Sequence, residues 1–328
     1  MIVVVTGAAG QIGYSLIPLI ASGHTFGESQ RIELRLLEIP QAMPLLNGLK
    51  MELLDCAYPM IDDIVCTSDP CVAFENADVA FLVGGFPRRP GMLRKDLIQK
   101  NSPIFMNMGK VLDSKAKSTC KVLVIANPAN TNYLIALKQC SRIPPKNFCA
   151  MTSLDLNRAR AQIANELDVS VSKVKNVIIW GNHSASQFPD ALTTGRIADD
   201  TESQSLKDVF ASNLDWIRGD FIEAVQQRGK MVMEARGKSS ALSAAKAASD
   251  CVRTWLITGT AAEETVSMGV YNHCGAYGID SDIVFSFPCV CKDGEWTIKT
   301  DLKLDSFTME KIKYTENELI NERKFCVC

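Results

Sequence analysis

Residues 2–13 read IVVVTGAAGQIG, an apolar run that meets glycines at 7, 10 and 13 and continues into the helical pattern of residues 14–22. Four branched or aliphatic residues in line suit a strand covered on both faces, as in a parallel sheet. Glycines directly after such a strand let the main chain turn sharply and let a pyrophosphate approach the backbone. They also aim the amides and dipole of the next helix at an anion. Glycine spacing alone is a weak signal, but strand before and helix after predict a dinucleotide-binding turn at Gly7, Gly10 and Gly13.

The same alternation continues. ELRLLEI (33–39), DVAFLVG (78–84) and KVLVIAN (121–127) read as strands, with helices around 11–22, 43–56 and 92–112. The predicted fold class is α/β: a Rossmann-type doubly wound parallel sheet over residues 1–150, followed by a mixed α/β substrate domain over 151–328. In the second part a helix over 153–167 precedes a strand over 174–180 and two long helices, about 205–235 and 239–257. Strands at 265–271, 282–290 and 295–300 and a charged helix close the chain. At 328 residues and 47% hydrophobic, two domains are expected. No Pro/Gly/Ser-rich linker separates them, so they are expected to pack as one body. The small-residue stretch SSALSAAKAASD fits close packing within the chain or a contact between subunits.

The charge balance, 35 basic against 37 acidic residues, argues against nucleic acid and against an anionic membrane as partners. No apolar run reaches the roughly 20 residues that span a bilayer, and the first residues enter a strand without a basic leader, so a soluble cytoplasmic protein is expected. The cysteines, 12 in all, are scattered, several inside apolar runs, and read as reduced thiols without a metal site. In Cys289-Val290-Cys291 the strand period puts both thiols on one face, which predicts packing. Cys326-Val327-Cys328 lacks the upstream basic run of a lipidated terminus.

Glu38, at the tip of the second strand, is placed to accept hydrogen bonds from ribose hydroxyls and to repel a 2′-phosphate, which favours NAD over NADP. Of the histidines, 3 in all, His24 and His273 fall in turn-like or loop stretches, whereas His183 follows the apolar strand VKNVIIW. An imidazole can take and return a proton near neutral pH, which makes His183 the credible general base. Asp155, in SLDLNRAR, is the candidate acid that orients it. Asp155 and Arg158 share a helix face, so they form an ion pair with each other, or Asp155 fixes His183 while Arg158 faces a substrate. A cationic stretch, FPRRPGMLRKD (86–96), sets Arg88, Arg89, Arg94 and Lys95 around Pro90-Gly91.

The motifs TGAAGQIGYSL, PRRPGMLRKDL, NPANTN, LDLNRARAQIA, NVIIWGNHS, VQQRG and SSALSAAKA occur in this order. With their spacing, they make the chain resemble the lactate/malate dehydrogenase family, in its cytosolic malate-oxidising branch, from Val3 to about Arg323. The resemblance implies NAD as cofactor, a small dicarboxylate substrate (malate or oxaloacetate) and a homodimer. It implies that Gly7, Gly10, Gln11, Ile12 and Gly13 hold the pyrophosphate and Glu38 the ribose. Asn101 and Ile125 also touch the cofactor, and Asn127 lies between nicotinamide and substrate. Asp155 and His183 form the acid-base pair, and Arg88, Arg94 and Arg158 bind substrate. In this scheme Arg158 pairs in a two-pronged fashion with the carboxylate beside the reacting carbon, Arg94 polarises the carbonyl and Arg88 meets the second carboxylate. Pro90-Gly91 hinges the closing loop. The chain departs from the family at Ser153 and Leu156, where arginine and histidine are usual, at Glu38, where aspartate is commoner, and at Met108, usually glutamine. Two rivals stay open: a relaxed 2-hydroxy acid dehydrogenase acting on lactate-like or aromatic 2-oxo acids, and an NAD-binding protein without catalysis.

Overall fold

In strand β1 (Ile2–Thr6), Val3, Val4 and Val5 are fully buried, because helices cover both faces of the sheet. Val3 and Val5 pack in one cluster with Leu16 and Ile17 of α1 (Gln11–Ala21), and Val4 packs on the other side with Phe105 and Leu112 of α4 (Arg94–Lys115). Each such side chain contributes about 1.5–3 kcal/mol relative to exposure. The computed structural model describes all residues except 88–90, 200–201 and 327–328.

Strands β2 (Ile32–Leu37), β3 (Ile61–Thr67), β4 (Val79–Leu82), β5 (Lys121–Val124) and β6 (Phe148–Ala150) join β1 in the parallel order β3-β2-β1-β4-β5-β6. Helices α2 (Met43–Asp55), α3 (Pro70–Phe74) and α5 (Ala129–Leu137) complete the crossovers. The strand order reverses between β1 and β4, which opens the crevice where such sheets bind ligands. The expected Rossmann-type sheet is therefore present.

After α6 (Ser153–Glu166), the expected strand 174–180 is split into β7 (Val174–Lys175) and β8 (Ile178–Trp180). Asn176 divides it: at φ +55° its side chain accepts from Thr265 N–H (3.0 Å) and donates to Glu263 C=O (2.8 Å). β8 pairs with β9 (Phe188–Asp190), and β7 with β10 (Arg196–Ala198), which pairs in turn with β11 (Ser203–Ser205). The expected helix 205–235 is three pieces, α7 (Leu206–Val209), α8 (Leu214–Arg218) and α9 (Asp220–Arg236), because the backbone leaves helical geometry at Asn213 and at Gly219.

Helix α10 (Leu242–Arg253) buries Ala244, Ala245, Ala247 and Ala248 against α1 and α6. Thr25 and Ser249 hydroxyls meet at 2.7 Å, and His24 and Asp250 at 3.1 Å. The small-residue stretch thus serves packing within the chain, and it clamps the first half to the second. Strands β12 (Val266–Tyr271), β13 (Val284–Lys292) and β14 (Glu295–Ile298) extend the same sheet to nine strands through an antiparallel pairing of Gly269 with Ala150. Cys289 and Cys291 point inward and are buried while Val290 is exposed, as the strand period requires. Helix α11 (Ser306–Arg323) closes the chain. Among the described residues no group of His, Cys, Asp and Glu is arranged to hold a metal, and no helix is long and apolar enough to cross a membrane.

Candidate active site

The turn after β1 takes the chain across the switch point. Gly7 sits at φ +63°, and a Cβ there would lie 2.5 Å from Gly84 Cα, in the loop after β4. Both neighbours are backbone, so no side chain can yield and only glycine fits. Gly10 is the N-cap of α1, with no side chain capping it and no acidic residue in the first turn formed by Gln11, Ile12 and Gly13. The helix N-terminus is therefore left for an external anion. Glu38 stands just past β2 and accepts from the amides of Ala9 and Ile39, each at 3.1 Å, which binds the second strand's tip to the glycine loop. A crevice that backbone glycine lines, an uncapped helix start and a carboxylate at the next strand tip fit a dinucleotide.

Asn101 and Ile125, both expected at the cofactor, have buried side chains. Asn101 is fully buried: its Oδ1 accepts from Phe86 N–H (2.8 Å), and its Nδ2 lies within reach of the carbonyls of Leu97 (3.1 Å), Phe86 (3.2 Å) and Asn127 (3.3 Å). It fastens the loop after β4 to the turn after β5. Ile125 is part of the core. Asn127 is exposed at the crevice, joined to Pro128 by a cis peptide bond.

Asp155 and His183 meet although 28 residues separate them. Asp155 lies in the first turn of α6 with no exposed surface, and its Oδ2 pairs with His183 Nδ1. Gly181 delivers the histidine: at φ +93°, with Thr315 in the space a Cβ would take, it turns the chain out of β8. Asn130 Oδ1 then accepts the His183 backbone N–H at 3.0 Å. Burial alone would push the Asp155 carboxyl up. The adjacent His183, then Arg158, outweigh burial and hold it below its ordinary value of 3.8. An ionised Asp155 can only accept, so Nδ1 carries the proton and Nε2 of the neutral ring is the basic nitrogen.

Arg158 lies one turn along α6, with Nη1 3.3 Å from Asp155 Oδ1 and Nη2 3.2 Å from Ser240 Oγ. Asp155 therefore contacts His183 and Arg158 together. Arg94, the first residue of α4, reaches Asn182, the residue before His183, at 3.3 Å, and its Nε pairs with Glu322 of α11. Arg88, like Arg89 and Pro90, lies outside the described residues; Gly91 beside them is at φ +78° in open space. Ser153 and Leu156 line a cleft of about 320 Å³ with Asp250, Cys251 and Met268, and neither Asp155 nor His183 borders it. A cleft of about 620 Å³ beside Thr258 and Val290 likewise includes none of these residues.

Residues 1–149 match the family model described as lactate/malate dehydrogenase, NAD binding domain, and residues 152–326 match the one described as lactate/malate dehydrogenase, alpha/beta C-terminal domain. The chain belongs to the lactate/malate dehydrogenase family. It is 47% identical over 323 residues to a cytoplasmic malate dehydrogenase of Zea mays, covering 98% of this chain and 96% of that one. The crystal structure of malate dehydrogenase from Naegleria fowleri superimposes with a TM-score of 0.93 at 41% identity, covering 99% of this chain and 97% of that chain. A Trichomonas vaginalis lactate dehydrogenase in complex with NADH and oxamate superimposes at 0.94, also at 41% identity, covering 99% of this chain and 98% of that chain. Within the lactate/malate dehydrogenase family, backbone likeness therefore does not select between a mono- and a dicarboxylate.

The sequence pointed to Asp155, His183, Arg94 and Arg158, and these four belong to one connected set of contacts. It did not point to Asn130, Asn182, Ser240 or Glu322, which hold them. Asn130 stands inside the quoted NPANTN and was open to inference. Glu322 sits in a charged terminal helix and gave no sign.

Proposed function

We propose that this member of the lactate/malate dehydrogenase family is an NAD-dependent L-malate dehydrogenase, interconverting malate and oxaloacetate in the cytoplasm as a homodimer, with residues 1–150 carrying the cofactor and 151–328 most of the substrate groups. The observation that carries the reading is the buried carboxylate Asp155 engaging both His183 and Arg158. It aims a basic nitrogen and a guanidinium fork from one point.

The turn at Gly7, Gly10 and Gly13, the first amides of α1 at Gln11 and Ile12, and Glu38 would hold the NAD, with Asn127 at the inner end of the crevice. When bound, the nicotinamide supplies the hydride acceptor. His183 Nε2 takes the proton of the substrate hydroxyl, and Asp155 steadies the imidazolium that results. Arg158 pairs with the carboxylate beside the reacting carbon, where a planar fork matches carboxylate geometry better than lysine's point charge. Arg94 stabilises charge on the carbonyl oxygen. Arg88 adds a third cation for the second carboxylate. A monocarboxylate would leave that cation unpaired as the loop closes and water is expelled.

One absorbance assay of NADH consumption with oxaloacetate, pyruvate and phenylpyruvate tests the reading. Oxaloacetate is expected to lead pyruvate in kcat/KM by about 10²-fold or more. A lead for phenylpyruvate identifies a relaxed 2-hydroxy acid dehydrogenase instead, and NADH binding without turnover on any of them identifies a non-catalytic protein.

The dimer reading is supported by exposed apolar surface on α1 and α2, where Tyr14, Leu45, Met51 and Leu54 are individually 49%, 69%, 65% and 61% exposed. A homodimer would cover it. Light scattering is expected to give twice the 36.0 kDa chain mass; a particle of one chain mass at micromolar concentration rules the dimer out.

A further inference from the structure

Helix α11 places a carboxylate under the substrate-binding cation. Glu322 is 5% exposed and receives Arg94 Nε, Thr131 Oγ1 and Asn182 Nδ2, the last at 2.7 Å. Asn182 has no exposed surface. Its Oδ1 accepts Arg94 Nη2 at 3.3 Å, while its Nδ2 also reaches Glu318 at 2.8 Å and its backbone N–H donates to Thr315 Oγ1 at 2.9 Å. One edge of the Arg94 guanidinium is thus held by a buried charge and by an amide that is itself held on every side. Its Nη1 edge has no protein acceptor among the described residues.

A guanidinium is a rigid plane, so engaging Nε and Nη2 sets the direction of Nη1. The same Asn182 precedes His183, and Thr131 follows the Asn130 that holds the His183 backbone. Glu322 therefore ties the cation and the base to one node, contributed by α11, whose Thr315 also braces Gly181 and Asn182. We propose that Glu322 is a positioning residue, which holds Arg94 so that its free edge meets the oxygen at which negative charge develops. The proposal rests on Arg94 acting on substrate as described above. Preorganised charge of this kind is felt where charge changes most, in the transition state, and less in binding of the ground state.

The test is a double-mutant cycle on the full chain: wild type, Glu322→Gln, Arg94→Gln and both together. Each is assayed for kcat and KM with oxaloacetate, NADH affinity by fluorescence, and thermal midpoint. Glu322→Gln is expected to lower kcat about tenfold with a smaller change in KM and unchanged NADH binding, and to cost nothing further once Arg94 is glutamine. A purely structural glutamate would shift the midpoint and leave kcat per folded molecule alone. Normal kcat in Glu322→Gln, or an undiminished tenfold loss in the Arg94→Gln background, overturns the proposal while leaving the role of Arg94 intact. Full activity in Arg94→Gln alone removes the reading beneath it as well. Should Glu322→Gln not fold, Glu322→Asp keeps the charge but withdraws it by one methylene. The same kcat loss is expected there, and its absence in a folded protein overturns the proposal equally.

Discussion

His183→Ala is expected to bind NADH normally and to lose about 10²–10⁴-fold in kcat, the contribution of a positioned general base. The cofactor crevice lies at the ends of β1, β2 and β4, whereas His183 belongs to the segment after β8, so binding and turnover separate in this variant. The substitution also changes how stability depends on pH. In the parent, Asp155 titrates below its ordinary 3.8, so its contribution is present above that value and is lost as pH falls through the lower folded one. Without the histidine, only Arg158 and Gln187 remain to offset burial and the carboxyl's folded value rises above the parent's. Ionising Asp155 then favours folding less than in the parent. The variant is therefore expected to be most destabilised near neutrality and to approach the parent below about pH 4. Denaturant midpoints at pH 7 and pH 4, with turnover at saturating oxaloacetate, measure both effects. Near-normal turnover in His183→Ala would sink the assigned mechanism.

Arg88→Gln is expected to reduce kcat/KM for oxaloacetate by about 10²-fold or more, and to leave pyruvate unchanged or improved. Truncating one partner of a close charge pair costs several kcal/mol, mostly because the other charge stays behind without a partner. In the proposed binding mode that partner is the second carboxylate of the substrate. Arg158 would still meet the first carboxylate in the variant, so chemistry is expected to persist while selectivity collapses. Comparing the three 2-oxo acids in parent and variant reads this directly. If oxaloacetate keeps its lead without Arg88, the distal cation is not what distinguishes the two ends of the substrate.

Much of the fold was legible because its signals are local. The strand-glycine-helix passage at 2–21 and the apolar run KVLV each carry their own reason to be what they are. The misses share a physical cause. Helix α5 has all nine residues buried, so it lacks the polar face by which a helix announces itself. β3 is an edge strand with Asp62 and Asp63 exposed, and it breaks the apolar pattern. The split at Asn176 depends on partners at 263 and 265, and the fragments of 205–235 on departures from helical geometry at single residues.

The residue types alone determined which chemistry this chain can perform: a glycine turn for a dinucleotide, a carboxylate, an imidazole and arginines in numbers that suit an anionic substrate. Only the tertiary structure decided which groups meet. Arg94 finds Glu322 across 228 residues, and Asn101 turns inward to fasten the loop after β4. The reason is that hydrogen-bond and charge partners are chosen by distance in the folded interior, where an unpaired polar group is costly. Nothing in the order of the residues records that distance until the sheet and its helices have closed.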